Sequence, residues 1–519
     1  MLIWVERSFH PNGGSMEKFL RPRQRIAAHL STQSFIVGDR PTAPWLGASS
    51  DWAISWRDEP LETLLLAGLL AGLAWAPFWL GGDRPMAWGV NGVWFPSLVV
   101  VYELGLLARG RKHPLALKRF AVPVGLFCGV VLWIGVQIST LLAPPAFVHP
   151  IWAMASDVLG VQLNGAISVN PQASALALMR LLTDASVLWL AIQLCRAPRR
   201  AMLLIESLVA IFTAYSAYGL LLSAFYGGAI PFFDAPDTGR FVRSTFVNRN
   251  NFATYAGLGL IAAAALTLRL FRHEVPNLEG IGSYRLSRLI EVTGRRGLRL
   301  VAACLVILVA LLGTVSRGGI LATGLGMFAL FVLSFAPQRR GGREQIETIL
   351  FVSIALLAGF LMFGDRIVGR ISEVGLTDAS RLAVDVIIAH SLLDAPFLGF
   401  GYGTFADVFP MYRDQSISPY GVWDMAHNSY LEVLQGLGLI FGGALIAALA
   451  LLAWKCLHAA VARRGNATAA IVAASACLLV GAHAMVDFSL QIEAVTLTFM
   501  AMLGAGLAQS ESSRSVSSD

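Results

Sequence analysis

"NRNNFATYAGLGLIAAAALTLRLF" (residues 248–271) joins two unlike halves. From Phe252 onward it is small and apolar, and it is long enough, at 1.5 Å per residue, to cross a hydrocarbon core of about 30 Å as a helix. Its left half sets Arg249 among three amides, Asn248, Asn250 and Asn251, directly against that helix. Comparable apolar runs recur at 63–81, 86–107, 120–141, 174–194, 201–225, 298–315, 318–336, 347–364, 428–454, 467–486 and 490–508. With the opening stretch (251–271) they make about twelve spans. The composition agrees: the 519 residues are 56% hydrophobic and 14% charged, where a soluble chain carries roughly 25% charge, and the mean hydropathy is +0.65. The two-residue alternation of a membrane barrel is absent. The expected fold class is an all-α polytopic membrane protein.

The basic residues orient the spans. Loops reading "RGRKHPLALKR", "CRAPRR", "RLFRHEV…RRGLR", "PQRRGGR" and "K…RR" hold 21 lysines and arginines, and the opposite loops hold nine. By the positive-inside rule both termini face the cytoplasm, and the sides alternate at every span. The net charge of +7 is thus topological. No basic face with stacking aromatics accompanies it, so nucleic acid is excluded as a partner. Five cysteines (Cys128, Cys195, Cys304, Cys456, Cys477) are scattered through apolar segments without ligand spacing, which predicts packing residues rather than a disulfide framework or a metal site.

Residues 1–60 are polar and basic around "EKFLRPRQR", with no signal peptide visible; they read as a cytosolic, partly disordered tail in which Met16 offers a second start. The Ser-rich end, 509–519, reads as a disordered tail. Two outer segments exceed a turn: 142–173, and 365–427, which predicts a small, partly helical subdomain over the outer face.

Three polar clusters meet that outer boundary. "TVSRGGILA" (314–322) puts Arg317 between two spans, on the side of Arg249, and "WDMAHNSYLEVLQGLG" (423–438) puts His427 there. Each stands at a helix start, where unpaired N–H groups and a partial positive charge suit an anion. Two guanidinium forks add bidentate phosphate recognition, and Gly318 and Gly319 allow close approach to the backbone. A diphosphate fits best. A helix N-terminus and two arginines disfavour the imidazolium of His427, leaving a neutral base at pH 7. The candidate site is His427, Arg249 and Arg317, with Asn248, Asn251, Ser316 and Gly318 around them. Elsewhere, "GFGYG" (399–403) reads as a bend, Arg180 and Asp184 as an intrahelical pair, and Asp487, Gln491 and Glu493 as outer-face residues open to solvent or to the site.

The order "STFVNRNNFATY", "TVSRGGILA", "APFLGFGYGTF", "HNSYLEVLQGLGLIFGG" and "HAMVDFSLQIEAVTLTFMAMLG" resembles the O-antigen ligase and polymerase family. The resemblance runs from about residue 200 to 508, within a membrane domain spanning 61–508. It implies a GT-C-like glycosyltransferase, needing neither cofactor nor metal, that works at the periplasmic face of the bacterial inner membrane. The donor it implies is an undecaprenyl diphosphate-linked glycan drawn from among the membrane lipids, and the acceptor is lipid A-core or another glycan. It also implies that Arg249 and Arg317 hold the diphosphate, that His427 activates the acceptor hydroxyl, and that Asn428, Tyr430 and Arg381 (in "SRLAVDV") help shape the pocket. The aromatic usual a few residues after that arginine is missing. Attack by the acceptor in one step predicts inversion at the anomeric carbon.

Overall fold

The computed structural model describes residues 59–230, 241–274, 294–335, 379–417, 422–462 and 467–511. The tail up to residue 58, the stretch 347–364, the first part of the long outer segment and residues 512–519 lie outside the described residues. Among those described, all regular structure is helical. The helices are α1 (Pro60–Trp75), α2 (Pro85–Ala108), α3 (Ala121–Ile138), α4 (Ile151–Leu159), α5 (Pro171–Leu194), α6 (Pro198–Phe225) and α7 (Arg249–Glu274). They continue with α8 (Arg295–Gly313), α9 (Arg317–Phe335), α10 (Ala379–Asp394), α11 (Phe405–Tyr412), α12 (Ser429–Ala462), α13 (Thr468–His483) and α14 (Glu493–Ser510). Every span read from the sequence, apart from 347–364, coincides with one of them. Seven of these, α2, α3 with the turn before it, α5, α6, α7, α9 and α12, are long and apolar enough to cross a membrane; α1, α8 and α13 are apolar but shorter.

The helix starts carry the expected chemistry. Proline opens α1, α2, α5 and α6, where its missing N–H costs nothing. Asn170 caps α5 by accepting from Ala173 N at 3.1 Å. Packing then depends on small residues, because lipid tails are as apolar as leucine and only close contact distinguishes a helix neighbour from lipid. At Gly257 on α7 a Cβ would stand 2.3 Å from Thr323 Oγ1 of α9. At Gly506 on α14 a Cβ would stand 2.2 Å from the Ala473 Cβ of α13. The alanine- and glycine-rich α14 is buried from Glu493 to Gln509 and packs on α5, α12 and α13. It is the axis of the bundle. Helices α6, α7, α8 and α9 close one side through α13, and α2 and α3 close the other through α5 and α12.

Contacts sort by end. At one end Arg109 pairs with Glu62 at 2.8 Å, Arg119 with Glu511 at 2.8 Å and Lys455 with Glu511 at 3.3 Å, while Gln193 ties to Leu115. These belong to the loops that the positive-inside count puts together. At the other end lie the turns 77–83, 243–251 and 314–318, and the link between α13 and α14. In the segment 379–427, α10 and α11 share an apolar cluster of their own, built on Val384, Ile388, Phe405 and Phe409.

Candidate functional site

The site is built on broken and strained backbone. Helix α12 is interrupted at Gly438, whose φ of 76° and ψ of 168° are non-helical. A break at membrane depth leaves backbone groups that only protein can satisfy. The strap 396–402 does so: Phe400 N donates to Gln435 O at 3.0 Å, Gly401 N to Gly436 O at 3.0 Å and Leu439 N to Pro396 O at 2.7 Å. Gln137 Nε2 adds bonds to Leu398 O and Gly436 O. "GFGYG" is therefore a close-packed clasp on α12, with Gly399, Gly401 and Gly403 at positive φ.

Among the described residues, four other than glycine have left-handed backbone: Leu80, Ser244, Val315 and His427. All four lie at the same end of the bundle, and the last three stand two to five residues upstream of α7, α9 and α12. For a β-branched residue such as Val315 this conformation is a true outlier, and such strain concentrates where function over-determines the structure.

Those three helix starts converge on one segment, 483–489. From α7, the buried Asn251 donates to Asp487 Oδ2 at 3.2 Å and to Ser489 Oγ at 3.3 Å. From α9, Gly318 approaches so closely that a Cβ there would lie 3.1 Å from His483 Nε2. From α12, Ser429 N donates to Ala484 O and Ser429 Oγ to Asp487 O at 3.1 Å. A polar chain runs through the centre: Thr254 Oγ1 meets His483 Nδ1 at 2.6 Å and donates to Ser489 Oγ at 2.8 Å, and Ser489 donates to Asp487 Oδ2. With both hydroxyls donating forward, His483 Nδ1 supplies the proton at the head of the chain.

The sequence-derived residues take these places. Arg249 is half-buried, its guanidinium carbon 4.0 Å from the centroid of Phe241, and Asn248 Oδ1 accepts from Asn250 N at 2.8 Å as the cap of α7. Arg317 opens α9 behind the buried Ser316, whose Oγ accepts from Gly319 N at 3.3 Å. His427 lies edge-on to Phe488 at 4.8 Å and Trp423 at 5.3 Å, with Nδ1 3.2 Å from Met425 O. Asn428 Oδ1 caps α12 by accepting from Leu431 N, and Tyr430 donates to Gly481 O at 2.9 Å. Arg381 Nη1 donates to Val486 O at 2.8 Å. Burial chiefly, and then the Arg381 charge, hold the His427 imidazole below its ordinary pKa, against the pull of the Asp487 carboxylate. The direction matches the sequence reading; the cause is different, since burial leads and Arg381 is the contributing cation.

One open reading is decided and another corrected. Asp487 and Glu493, left open to solvent or to the site, are not solvated: they are 0% and 2% exposed. Arg180 finds its carboxylate across the helix interface, on Glu493 at 3.7 Å, while stacking on Trp88 and donating to Gln491 O. His483, Thr254 and Ser489 were missed altogether. Their one sequence signal is a histidine and an aspartate four residues apart at the mouth of a span.

A cavity of about 830 Å³ lies beside this site, between α3, α5, α12, α13 and α14, and its walls include Met425, Ser429 and Tyr430 but not Arg249, Arg317 or His427. Among the described residues no group of three or more His, Cys, Asp or Glu is placed to hold a metal ion.

Residues 302–447 match the family model described as O-Antigen ligase. The match takes in Arg317, Arg381, His427, Asn428 and Tyr430 and stops short of Arg249 and Asp487. No curated protein matches the chain. The family implies glycosyl transfer of the ligase type in cell-surface polysaccharide biosynthesis, with a lipid-linked glycan and a glycan acceptor as substrates. With all regular structure in its described residues helical and several helices fit to cross a bilayer, the chain has the character of a multi-pass membrane protein, and its residues 302–447 are similar to the O-antigen ligase family.

Proposed function

We propose that this protein transfers a glycan from undecaprenyl diphosphate to an acceptor hydroxyl at the periplasmic face of the bacterial inner membrane. The observation that carries the reading is the convergence of three helix starts, each bearing one of Arg249, Arg317 and His427, on the segment 483–489. The two arginines and the N-termini of α7 and α9 stabilise the diphosphate as it departs. The His427 imidazole, kept neutral, takes the proton of the acceptor hydroxyl as its oxygen attacks the anomeric carbon. The C1–O bond to the diphosphate breaks in the same step, so the configuration inverts. No metal takes part in this scheme.

The test is a purified-protein assay with undecaprenyl diphosphate-linked glycan as donor. Release of undecaprenyl diphosphate coupled to a new inverted glycosidic linkage, read by NMR, is expected. A retained configuration defeats the single-step scheme, and an uncleaved donor moved across the bilayer would make the protein a transporter. The acceptor divides the two branches of the family. A deletion strain with bare lipid A-core and intact lipid-linked polymer marks a ligase, and one with single-unit glycan marks a polymerase.

A further inference from the structure

The segment between α3 and α5 carries a helix whose apolar side the bundle leaves open. Helix α4 (Ile151–Leu159) has no buried residue. At 3.6 residues per turn, Ile151, Met154, Ala155, Val158 and Leu159 fall on one side, and Ala153, Ser156 and Asp157 on the other. The apolar side is the exposed one: Met154 is 66% exposed, Val158 86% and Leu159 63%. Leu141, Leu142 and Phe147 before the helix and Val161 after it are exposed as well. An amphipathic helix ordinarily turns its apolar stripe to the core, and contiguous apolar surface left outside marks a place for a partner.

Depth and charge say which partner. Helix α3 with the turn before it runs 22 residues, Leu117–Ile138, about 33 Å at 1.5 Å per residue, which matches a hydrocarbon core of about 30 Å. Lys118 and Arg119 mark its basic end, so Gln137 and Ile138 stand at the opposite boundary. Helix α4 is fastened at that level. Ser168 N donates to Gln137 O at 2.9 Å, His149 N to Ala166 O at 3.0 Å and Trp152 Nε1 to Ser168 O at 3.2 Å. The loop is closed tightly, since a Cβ at Gly165 would lie 2.3 Å from Val148 Cγ1. It also braces the clasp: Val169 N donates to Phe400 O at 2.9 Å, and the His149 ring lies 5.6 Å from that of Phe400. From Ser139 to Asn170 the chain has no lysine or arginine and one carboxylate, Asp157. Apolar burial, not charge, is what this surface offers.

We propose that α4 lies in the plane of the membrane as an interfacial helix, its Met154–Val158 side sunk in the headgroup–acyl boundary at the site's end of the bundle. In-plane helices bury such a face about 5–10 Å deep. The occupant is the lipid surface, continuous with the lipid against which α3 exposes Leu132 and α5 exposes Leu176. Because the same loop braces Phe400, the anchor holds the clasp on α12 at a fixed depth beside the site. The assignment is independent of the transfer chemistry proposed above.

The test uses the full chain in phosphatidylcholine nanodiscs and three diazirine probes, with labelled sites mapped by mass spectrometry. One is phosphatidylcholine with the diazirine beside the acyl carbonyl, the second carries it at the chain end, and the third is a water-soluble diazirine. The carbonyl-proximal probe is expected on Met154, Val158 and Leu159, and the chain-end probe on Leu132 in preference to α4. The aqueous probe should reach Asp157 and spare Met154 and Val158. Added phosphatidylglycerol should change none of this, because the segment has no cation. Val158→Glu should cut the lipid labelling of α4 about tenfold with an unchanged melting profile, whereas Asp157→Asn, on the opposite side, should leave it as it is. Aqueous labelling of Met154 and Val158 in the unmodified protein overturns the proposal. So does protection from all three probes, which would mean that a second copy of the chain covers the face. Labelling of α4 chiefly from the chain end overturns it too, since the helix would then lie within the core.

Discussion

The two ends of the bundle are built on opposite principles. At the basic end, ion pairs such as Arg119–Glu511 and Lys455–Glu511 join neighbouring loops, with side chains 18–36% exposed. At the other end, Asp487 and Glu493 are buried, α12 is broken, and Leu80, Ser244, Val315 and His427 hold left-handed backbone. The basic end needs only to fix which side of the membrane it faces, and solvated charge does that cheaply. The other end holds particular atoms in particular places. Strain is tolerated there because neighbouring contacts fix it.

The hardest blow to this contrast comes from its three charged or titrating markers. Arg249→Ala, Arg317→Ala and His427→Ala are each expected to lower transfer by about 100-fold or more, the scale of a lost transition-state contact, with insertion and melting unchanged. Arg→Lys at either position should lose most of the activity, because an ammonium cannot grip a diphosphate bidentately. Near-normal transfer by all three alanine variants would remove the mechanism.

The buried chain behind them should respond in stability first. Asp487→Ala strips the acceptor from Asn251 and Ser489, and an orphaned buried donor costs about 1–3 kcal/mol. Thermal unfolding in detergent checks this; an unchanged midpoint would mean that the chain is wet and slack. Val315→Gly works in the opposite sense. It relieves a left-handed β-branched residue, worth roughly 1 kcal/mol or more, so the protein should melt later. Transfer should fall nonetheless, because the turn that aims Arg317 is freed.

How far each end could be read in advance follows from the same contrast. Membrane helices and sidedness are local properties of twenty-residue windows and of loop charge. The spans from 63–81 to 490–508 therefore coincide with helices wherever the residues are described. So do the starts at Arg249, Arg317 and Ser429, where Asn, Ser and Gly advertise the cap. What stayed hidden are partnerships between distant residues: Arg180 with Glu493, Asn251 with Asp487, and the clasp of 396–402 on the break at Gly438. A carboxylate beside a span looks the same in sequence whether it meets water or a buried serine. The cavity was equally invisible, because its walls come from helices far apart in the chain, α2 to α14, and its apolar residues look like any lipid-facing ones.

Acidity gives a finer probe. With the His427 pKa lowered by burial and Arg381, the neutral base persists as pH falls from 8 to 6.5, and transfer should decline only below about 6.5, the ordinary histidine value. The sign for stability is the same: the folded state resists protonation, so this residue's contribution is intact above the unfolded pKa and is lost as pH drops beneath it. Arg381→Ala should move the acid limb upward. An acid limb above 6.5 in the native protein would contradict the buried, neutral imidazole.

The smallest effect belongs to the basic end. Arg119→Ala removes a partner of Glu511 but leaves Lys455, 3.3 Å from the same carboxylate, and the Arg196 bond to Glu511 O. A pair this close to solvent is worth about 0–1 kcal/mol and weakens with salt. The variant should melt within a few degrees of the parent, less so at high salt, and should transfer glycan at the parental rate. Its value lies in the pairing with Asp487→Ala. Each deletes one charge from a membrane boundary, and only the buried one should disturb the reaction. A transfer defect in Arg119→Ala comparable to that of Asp487→Ala would mean that the two ends are mechanically coupled through α14, and the division of labour between anchor and active end would have to be abandoned.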